Sequence, residues 1–236
     1  DDFINDQGLM ELLIIDDDLQ FDAGDELLSY YSNHVDYEVG SPTEVYGLTS
    51  ASLSEIVLND DGTWILTGLV TGLSGAAGFV TLETNGDGYS DFAIVQNTGD
   101  VSTLALYESS VSAETYAVSY ALTDSIDITS INAGLVSAIG VERGDINEDG
   151  LSDYIVGDAA GHTVALLGSN DASSPSTWTS VSTASSGDGS VIRSNFVAHD
   201  FNSDGVDEVV STYSDGSVVM TSYQEAAEGS PAILSD

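Results

Sequence analysis

The chain has 236 residues, 42% of them hydrophobic, which is enough for one large domain or two small ones with a real core. Forty acidic residues stand against two basic ones, Arg143 and Arg193, for a net charge of −38. Such a surface repels phosphate backbones and anionic lipid and so argues against nucleic acid and membrane surfaces as partners. The absence of Cys leaves no disulfides to hold the fold.

Charge of this size destabilises a compact state unless cations screen or bind it. Seawater or brine supplies such cations, and so does a calcium-rich extracellular space. The chain begins Asp1-Asp2-Phe3, without an initiator Met or a basic and apolar leader, and reads as a mature or trimmed product. An extracellular location, secreted or at the cell surface, is the expectation. The uncharged stretch 63–82 is rich in Gly, Ser and Thr and has no basic flank. It reads as two strands around a Gly-rich turn and not as a membrane span.

Taken in chain order, short apolar and β-branched runs alternate with polar turns. Leu12 to Ile15 leads into an acidic loop, followed by strands at Leu27 to Tyr31 and Val35 to Val39. A hairpin follows, with strands Glu55 to Leu58 and Thr63 to Leu66 around Asp61-Gly62. The segment Gly47 to Glu55 resembles one of the acidic loops that has lost oxygens at positions 1 and 5; the hairpin after it is either a degenerate fifth unit or simply the outer strands of the first. Phe79 to Leu82 leads into the second loop, then Asp91 to Gln96, Thr103 to Tyr107 and Thr115 to Tyr120. Val136 to Val141 leads into the third, then Asp153 to Gly157, a turn at Asp158 to Gly161, His162 to Leu167 and Thr177 to Ser182. Asn195 to Ala198 leads into the fourth, then Glu208 to Tyr213, the turn Ser214-Asp215-Gly216 and Ser217 to Thr221. No amphipathic helix is evident.

The loops share one pattern. The third carries oxygen-bearing side chains at positions 1, 3, 5 and 9, namely Asp145, Asn147, Asp149 and Asp153, with Gly150 at position 6. The fourth has Asp200, Asn202, Asp204 and Glu208 around Gly205, and the second has Glu83, Asn85, Asp87 and Asp91 around Gly88. The first is weaker, with Asp18, Gln20, Asp22 and Glu26, and Ala23 where the others have Gly. Oxygen at this density suits a hard cation such as Ca²⁺, and the Gly allows the sharp turn around it. Position 9 falls at residues 26, 91, 153 and 208, spacings of 65, 62 and 55. Periods of this size mark a repeat architecture. The fold class is therefore expected to be all-β: one domain over 1–236, a β-propeller-like array of about four four-stranded antiparallel blades. The approximate blades are 8–75, 76–132, 133–190 and 191–236.

Three other readings of the loops compete. An EF-hand needs a bidentate acid at position 12 and a helix after it. Position 12 is Ser29, Ile94, Val156 and Ser211 in the four loops, within or beside an apolar β run, so this reading fails. Plain hairpin turns explain Asp61-Gly62 and Asp215-Gly216 but not several oxygens at fixed spacing. A halophilic surface explains most acids but predicts no register with the strands. Mg²⁺ keeps several waters and suits a wrapped loop of protein oxygens less well than Ca²⁺.

The stretch Gly144-Asp-Ile-Asn-Glu-Asp-Gly-Leu-Ser-Asp-Tyr-Ile-Val156, continuing through Val164 to Gly168, resembles the FG-GAP or VCBS-type repeat of integrin α-subunit propellers and many secreted bacterial proteins. Asp200 to Met220 and Glu83 to Val95 are similar to it as well. The resemblance implies a Ca²⁺ in each loop, three to four ions in all, between the first two strands of each blade. It also implies a further ligand, the position-7 carbonyl, at Leu151, Val206, Tyr89 and Gly24. The family's propellers close with seven blades and this chain carries four units, so a four- or five-bladed ring or an open arc completed by assembly is expected.

Catalysis finds little support. There is no Cys or Lys, and the three His, His34, His162 and His199, read as structural or surface residues. The expected role is a structural or adhesive one in an extracellular matrix or at a cell surface, with the chain itself or an extracellular glycan or protein as partner. The alternatives are a calcium-dependent lectin-like module and, further off, a domain of a polysaccharide-active enzyme.

Overall fold

Wherever the segments read as strands from their β-branched and aromatic content are described, strands form, with ends shifted by a few residues. The computed structural model describes residues 29–32, 45–58, 64–82, 84, 87–168, 179–182, 192–203, 205–213, 217–224 and 233–235. Among them, sixteen strands form four four-stranded antiparallel sheets, none closed into a barrel. No helix among the described residues is long and apolar enough to cross a membrane. The chain divides into two compact units, 1–76 and 77–236.

The first unit holds β1 (Ser29–Ser32), β2 (Val45–Leu48), β3 (Ser52–Leu58) and β4 (Trp64–Thr71), hydrogen-bonded in that order. The hairpin expected around Asp61-Gly62 is the β3–β4 pair, with Leu58 opposite Trp64 and Ile56 opposite Leu66. The segment Gly47 to Glu55 forms the β2–β3 hairpin, and β3 and β4 are the outer strands of the first sheet, the second of the two readings, and not a separate fifth unit. Thr49 makes the turn: its Oγ1 accepts from Ala51 and Ser52 N–H at 3.3 and 3.0 Å, and its N–H donates to the Ser52 carbonyl at 2.8 Å. A Ser/Thr side chain that bonds its own backbone two residues on closes a tight turn without any cation. The strands expected at Leu12 to Ile15 and Val35 to Val39 lie outside the described residues.

Within the uncharged stretch, residues 64–82 are two strands around a Gly turn, as its composition implies. After β4, Gly72 and Gly75 take φ of +77° and +61°, a region that glycine enters without strain, and β5 (Ala76–Leu82) begins.

In the second unit, β5 pairs with β6 (Asp91–Thr98), β7 (Val101–Val111) and β8 (Val118–Asp127) in sequence order. A single-turn helix, α1 (Ile128–Ile131), follows, where no helix was expected. Asp127 caps it by accepting from the Ser130 N–H at 2.9 Å, and Ile128 is fully buried. The next sheet runs β9 (Ala138–Gly144), β10 (Asp153–Asp158), β11 (Thr163–Leu167) and β12 (Thr179–Ser182). The last runs β13 (Ile192–His199), β14 (Glu208–Tyr213), β15 (Val218–Gln224) and β16 (Ile233–Ser235).

Period-two alternation gives the middle sheet two apolar faces. Val141, Tyr154, Val156 and Leu166 pack against Val80, Leu82, Val95 and Leu104 of the β5–β8 sheet. Ile155, Ala165 and Leu167 face the other way and pack with Val209 and Ala198 of the β13–β16 sheet. The three sheets thus stack in sequence order. Their first strands come close: a Cβ on Gly78 of β5 would lie 2.7 Å from the Gly140 Cα of β9, so the backbones meet where neither residue has a side chain. Asn97, at the end of β6, extends this seam. Its side chain donates to the Ala138 carbonyl at 2.8 Å and accepts from the Ala138 N–H at 3.1 Å, which satisfies both backbone groups of that residue.

Candidate metal centre

Each acidic loop of the second unit joins the first strand of a sheet to its second: β5 to β6, β9 to β10 and β13 to β14. The strands carry the apolar residues that anchor the sheets, and the loops take the oxygen-rich remainder to one end of each pair.

In the third loop, Asp145 accepts from the Asp149 N–H (3.1 Å) through Oδ1 and from the Gly150 N–H (2.9 Å) through Oδ2. Asn147 Oδ1 accepts from the Asp149 N–H at 3.3 Å, and Asp149 Oδ1 from the Leu151 N–H at 2.8 Å. Glu148 and Gly150 take φ of +59° and +79°, so the backbone turns twice and points its N–H groups at the side-chain oxygens. Asp153 closes the loop. It is fully buried, and its carboxylate accepts from the Ile146 N–H at 2.9 Å and the Gly168 N–H, beyond the end of β11, at 2.7 Å.

The fourth loop repeats this wiring. Asp200 Oδ2 accepts from the Gly205 N–H at 3.0 Å, and Ser203 and Gly205 take φ of +63° and +97°. Glu208, also buried, accepts from the Phe201 N–H at 3.0 Å and from the Asn202 amide at 2.6 Å. The second loop does the same at its closing end. Buried Asp91 accepts from the Thr84 N–H at 2.7 Å and hydroxyl, and from the Ser109 N–H of β7 at 2.7 Å. Asp87 accepts from the Tyr89 N–H at 2.9 Å, as Asp149 does from Leu151. Glu83, Asn85 and Asp204 lie outside the described residues, as does the whole first loop: Asp18, Gln20, Asp22, Gly24 and Glu26.

Ser109 shows what the second loop gathers. Its hydroxyl lies 3.1 and 3.2 Å from the two Asp87 carboxylate oxygens, 3.4 Å from the Tyr89 carbonyl and 2.9 Å from Asp91 Oδ1. Side-chain and backbone oxygens of one loop thus converge on a single hydroxyl. They come from positions 5, 7 and 9, part of the ligand set that the resemblance implies. Among the described residues, no three His, Asp or Glu side chains stand together closely enough to hold a metal ion by themselves. The donor sets of these loops are mixed, with carboxylate, amide and peptide carbonyl oxygens, all of them hard ligands of the kind Ca²⁺ takes.

Burial shapes the electrostatics. The Asp153 carboxyl is pushed up from 3.8 to about 6, chiefly by desolvation, with Asp149 and Asp145 adding repulsion and the Gly168 and Ile146 N–H groups opposing it. Next to this loop lies a recess of about 260 Å³, lined by Arg143, Gly144, Asp145, Gly150, Leu151, Ser152 and Asp207.

Three participants were not legible from the loop pattern: Ser109, Gly168 and Asp207. The first two lie 18 and 15 residues beyond the acid they contact, across a hairpin whose length varies. A Cβ on Gly168 would lie 2.8 Å from the Ser152 carbonyl, so glycine there lets the strand end approach the loop. Of the two described histidines, His162 bonds Asp158 through Nδ1 at 2.8 Å in the β10–β11 turn. His199 is exposed, with its ring 5.4 Å from that of Phe201.

No protein-family model matches the chain, and no curated protein matches its sequence.

Proposed function

We propose that this chain is an extracellular calcium-binding repeat protein of the FG-GAP/VCBS type with a structural or adhesive role. One observation carries the reading: a single hydrogen-bond scheme recurs in the loops, with a buried position-9 acid accepting from the position-2 N–H in all three. A surface that was merely acidic would have no reason to repeat this wiring at the same joint of successive sheets. The stacking of sheets in sequence order, with first strands adjacent, supports a propeller-like arrangement of blades.

Calcium would supply charge neutralisation at the loops and nothing chemical. Asp145, Asn147, Asp149, the Leu151 carbonyl and Asp153 would hold it in the third loop, with corresponding sets in the others. A cation held only by the native state stabilises it by mass action, by about 2.7 kcal/mol per site at a hundredfold excess over its dissociation constant. Sheet edges left unpaired by an incomplete ring would favour assembly with further copies.

Calorimetric titration of the chelator-treated chain with Ca²⁺ tests the reading. Saturable binding of three to four ions and a higher melting temperature are expected; no heat of binding and equal melts with and without chelator would reject it. Exposed aromatics on and near the loops (Tyr89, Tyr116 and Phe201) favour a second reading, a calcium-dependent glycan-binding surface. Retention on a glycan array in calcium, lost on chelation, would support that reading over assembly.

A further inference from the structure

The third and fourth loops share a backbone clamp. Asp145 opens the third loop, and both of its peptide groups are held by Asp207. The Asp145 N–H donates to Asp207 Oδ2 at 2.8 Å, and the Asp207 N–H donates to the Asp145 carbonyl at 3.0 Å. Asp207 in turn directly precedes Glu208, which closes the fourth loop. The contact depends on Gly144, where a Cβ would lie 2.8 Å from Asp207 Oδ2 and 2.9 Å from the Ala198 Cβ. Asp207 is at position 8 of its loop. The second and third loops have Ser90 and Ser152 there, and neither offers a carboxylate.

Resting on the reading of these loops as cation sites, we infer that Asp207 couples the third and fourth loops, so that a divalent cation in one raises the affinity of the other. A cation in the fourth loop fixes Glu208 and with it the adjoining Asp207. The clamp then holds Asp145 in place before the third loop binds, and less ordering is left for that second event. Linkage makes the effect reciprocal. The Asp207 carboxylate has the sign that offsets repulsion between two neighbouring cations.

The test is a calcium titration of the full chain, read at the backbone amides of Gly150 and Gly205 by nuclear magnetic resonance. Asp200→Asn weakens the fourth loop while leaving an oxygen for the Gly205 N–H. In the parent background it is expected to shift the Gly150 midpoint to about fivefold higher calcium, the low end of typical allosteric couplings. In an Asp207→Ala background the same substitution should leave the Gly150 midpoint unmoved. Asp207→Asn, which keeps an acceptor oxygen, should retain most of the coupling and serves as the folded control if the alanine variant misfolds. A Gly150 midpoint indifferent to Asp200→Asn, or coupling that survives Asp207→Ala, overturns the inference while the cation reading stands. If neither amide responds to millimolar calcium, the cation reading falls and the coupling with it.

Discussion

On the proposed calcium reading, the position-9 acid has two roles that mutation can separate. In the second loop the buried Asp91 carboxylate ties Thr84 to Ser109 of β7. Without calcium, Asp91→Ala is expected to cost about 2–4 kcal/mol, because the Thr84 and Ser109 N–H groups lose their acceptor. Exposed Asp87→Ala should cost well under 1 kcal/mol there. Both should abolish binding at the second loop, and urea melts paired with calcium titrations would separate the two roles. Glu142 on β9 is a different acid. It sits opposite Ile155, on the face of its sheet that packs toward β13–β16. Burial raises its carboxyl from 4.5 to about 7. Between those values the folded chain binds a proton that the unfolded chain has released, so stability present below pH 4.5 is lost as pH rises through about 7. Glu142→Gln should therefore be the more stable form at about pH 8, by about 1–3 kcal/mol, and this margin should vanish toward pH 4. A margin independent of pH would show that Glu142 is not the group responsible.

At the scale of elements, the seams between sheets are made by the smallest residues. The β5–β9 approach leaves no room at Gly78, so Gly78→Ala must push two backbones apart. A loss of about 1–3 kcal/mol is expected from such overpacking, measurable by thermal unfolding. Gly68 is a useful control, since a Cβ there would meet only the Thr71 methyl at an ordinary 3.4 Å. Equal costs at the two positions would mean that the seam is looser than it stands. The β2–β3 turn shows the limit of loop patterns: in a segment spaced like an acidic loop, the Thr49 side chain bonds its own backbone within a hairpin.

For the whole molecule, charge is the dominant constraint. With −38 spread over 236 residues, the calcium-free chain should melt at markedly higher temperature as NaCl rises from about 0.01 to 0.5 M, because the screening length falls from about 30 Å to a few Å. If the proposed calcium sites exist, the dependence should be flatter with calcium present, since bound ions would neutralise clustered carboxylates. A melting temperature that ignores salt in the absence of calcium would mean that self-repulsion is not what limits stability.

Strand positions were legible because period two and turn residues are local properties, and the hairpin at Leu58 and Trp64 follows from them directly. The loops were legible as turns between strands for the same reason: positions 1 to 9 lie in one short stretch of chain, and their hydrogen bonds run mainly within it. The residues that meet the loops from outside were not. Ser109, Gly168 and Asp207 are brought in by hairpin length and by the stacking of one sheet on the next, and no spacing rule reaches across those distances. The sequence by itself determined an all-β chain with acidic turns at regular intervals, because side-chain alternation and oxygen spacing act over a few residues. Only the tertiary structure decided that Asp91, Asp153 and Glu208 are buried and that Asp207 joins two loops, because burial and cross-sheet contact depend on how the sheets pack.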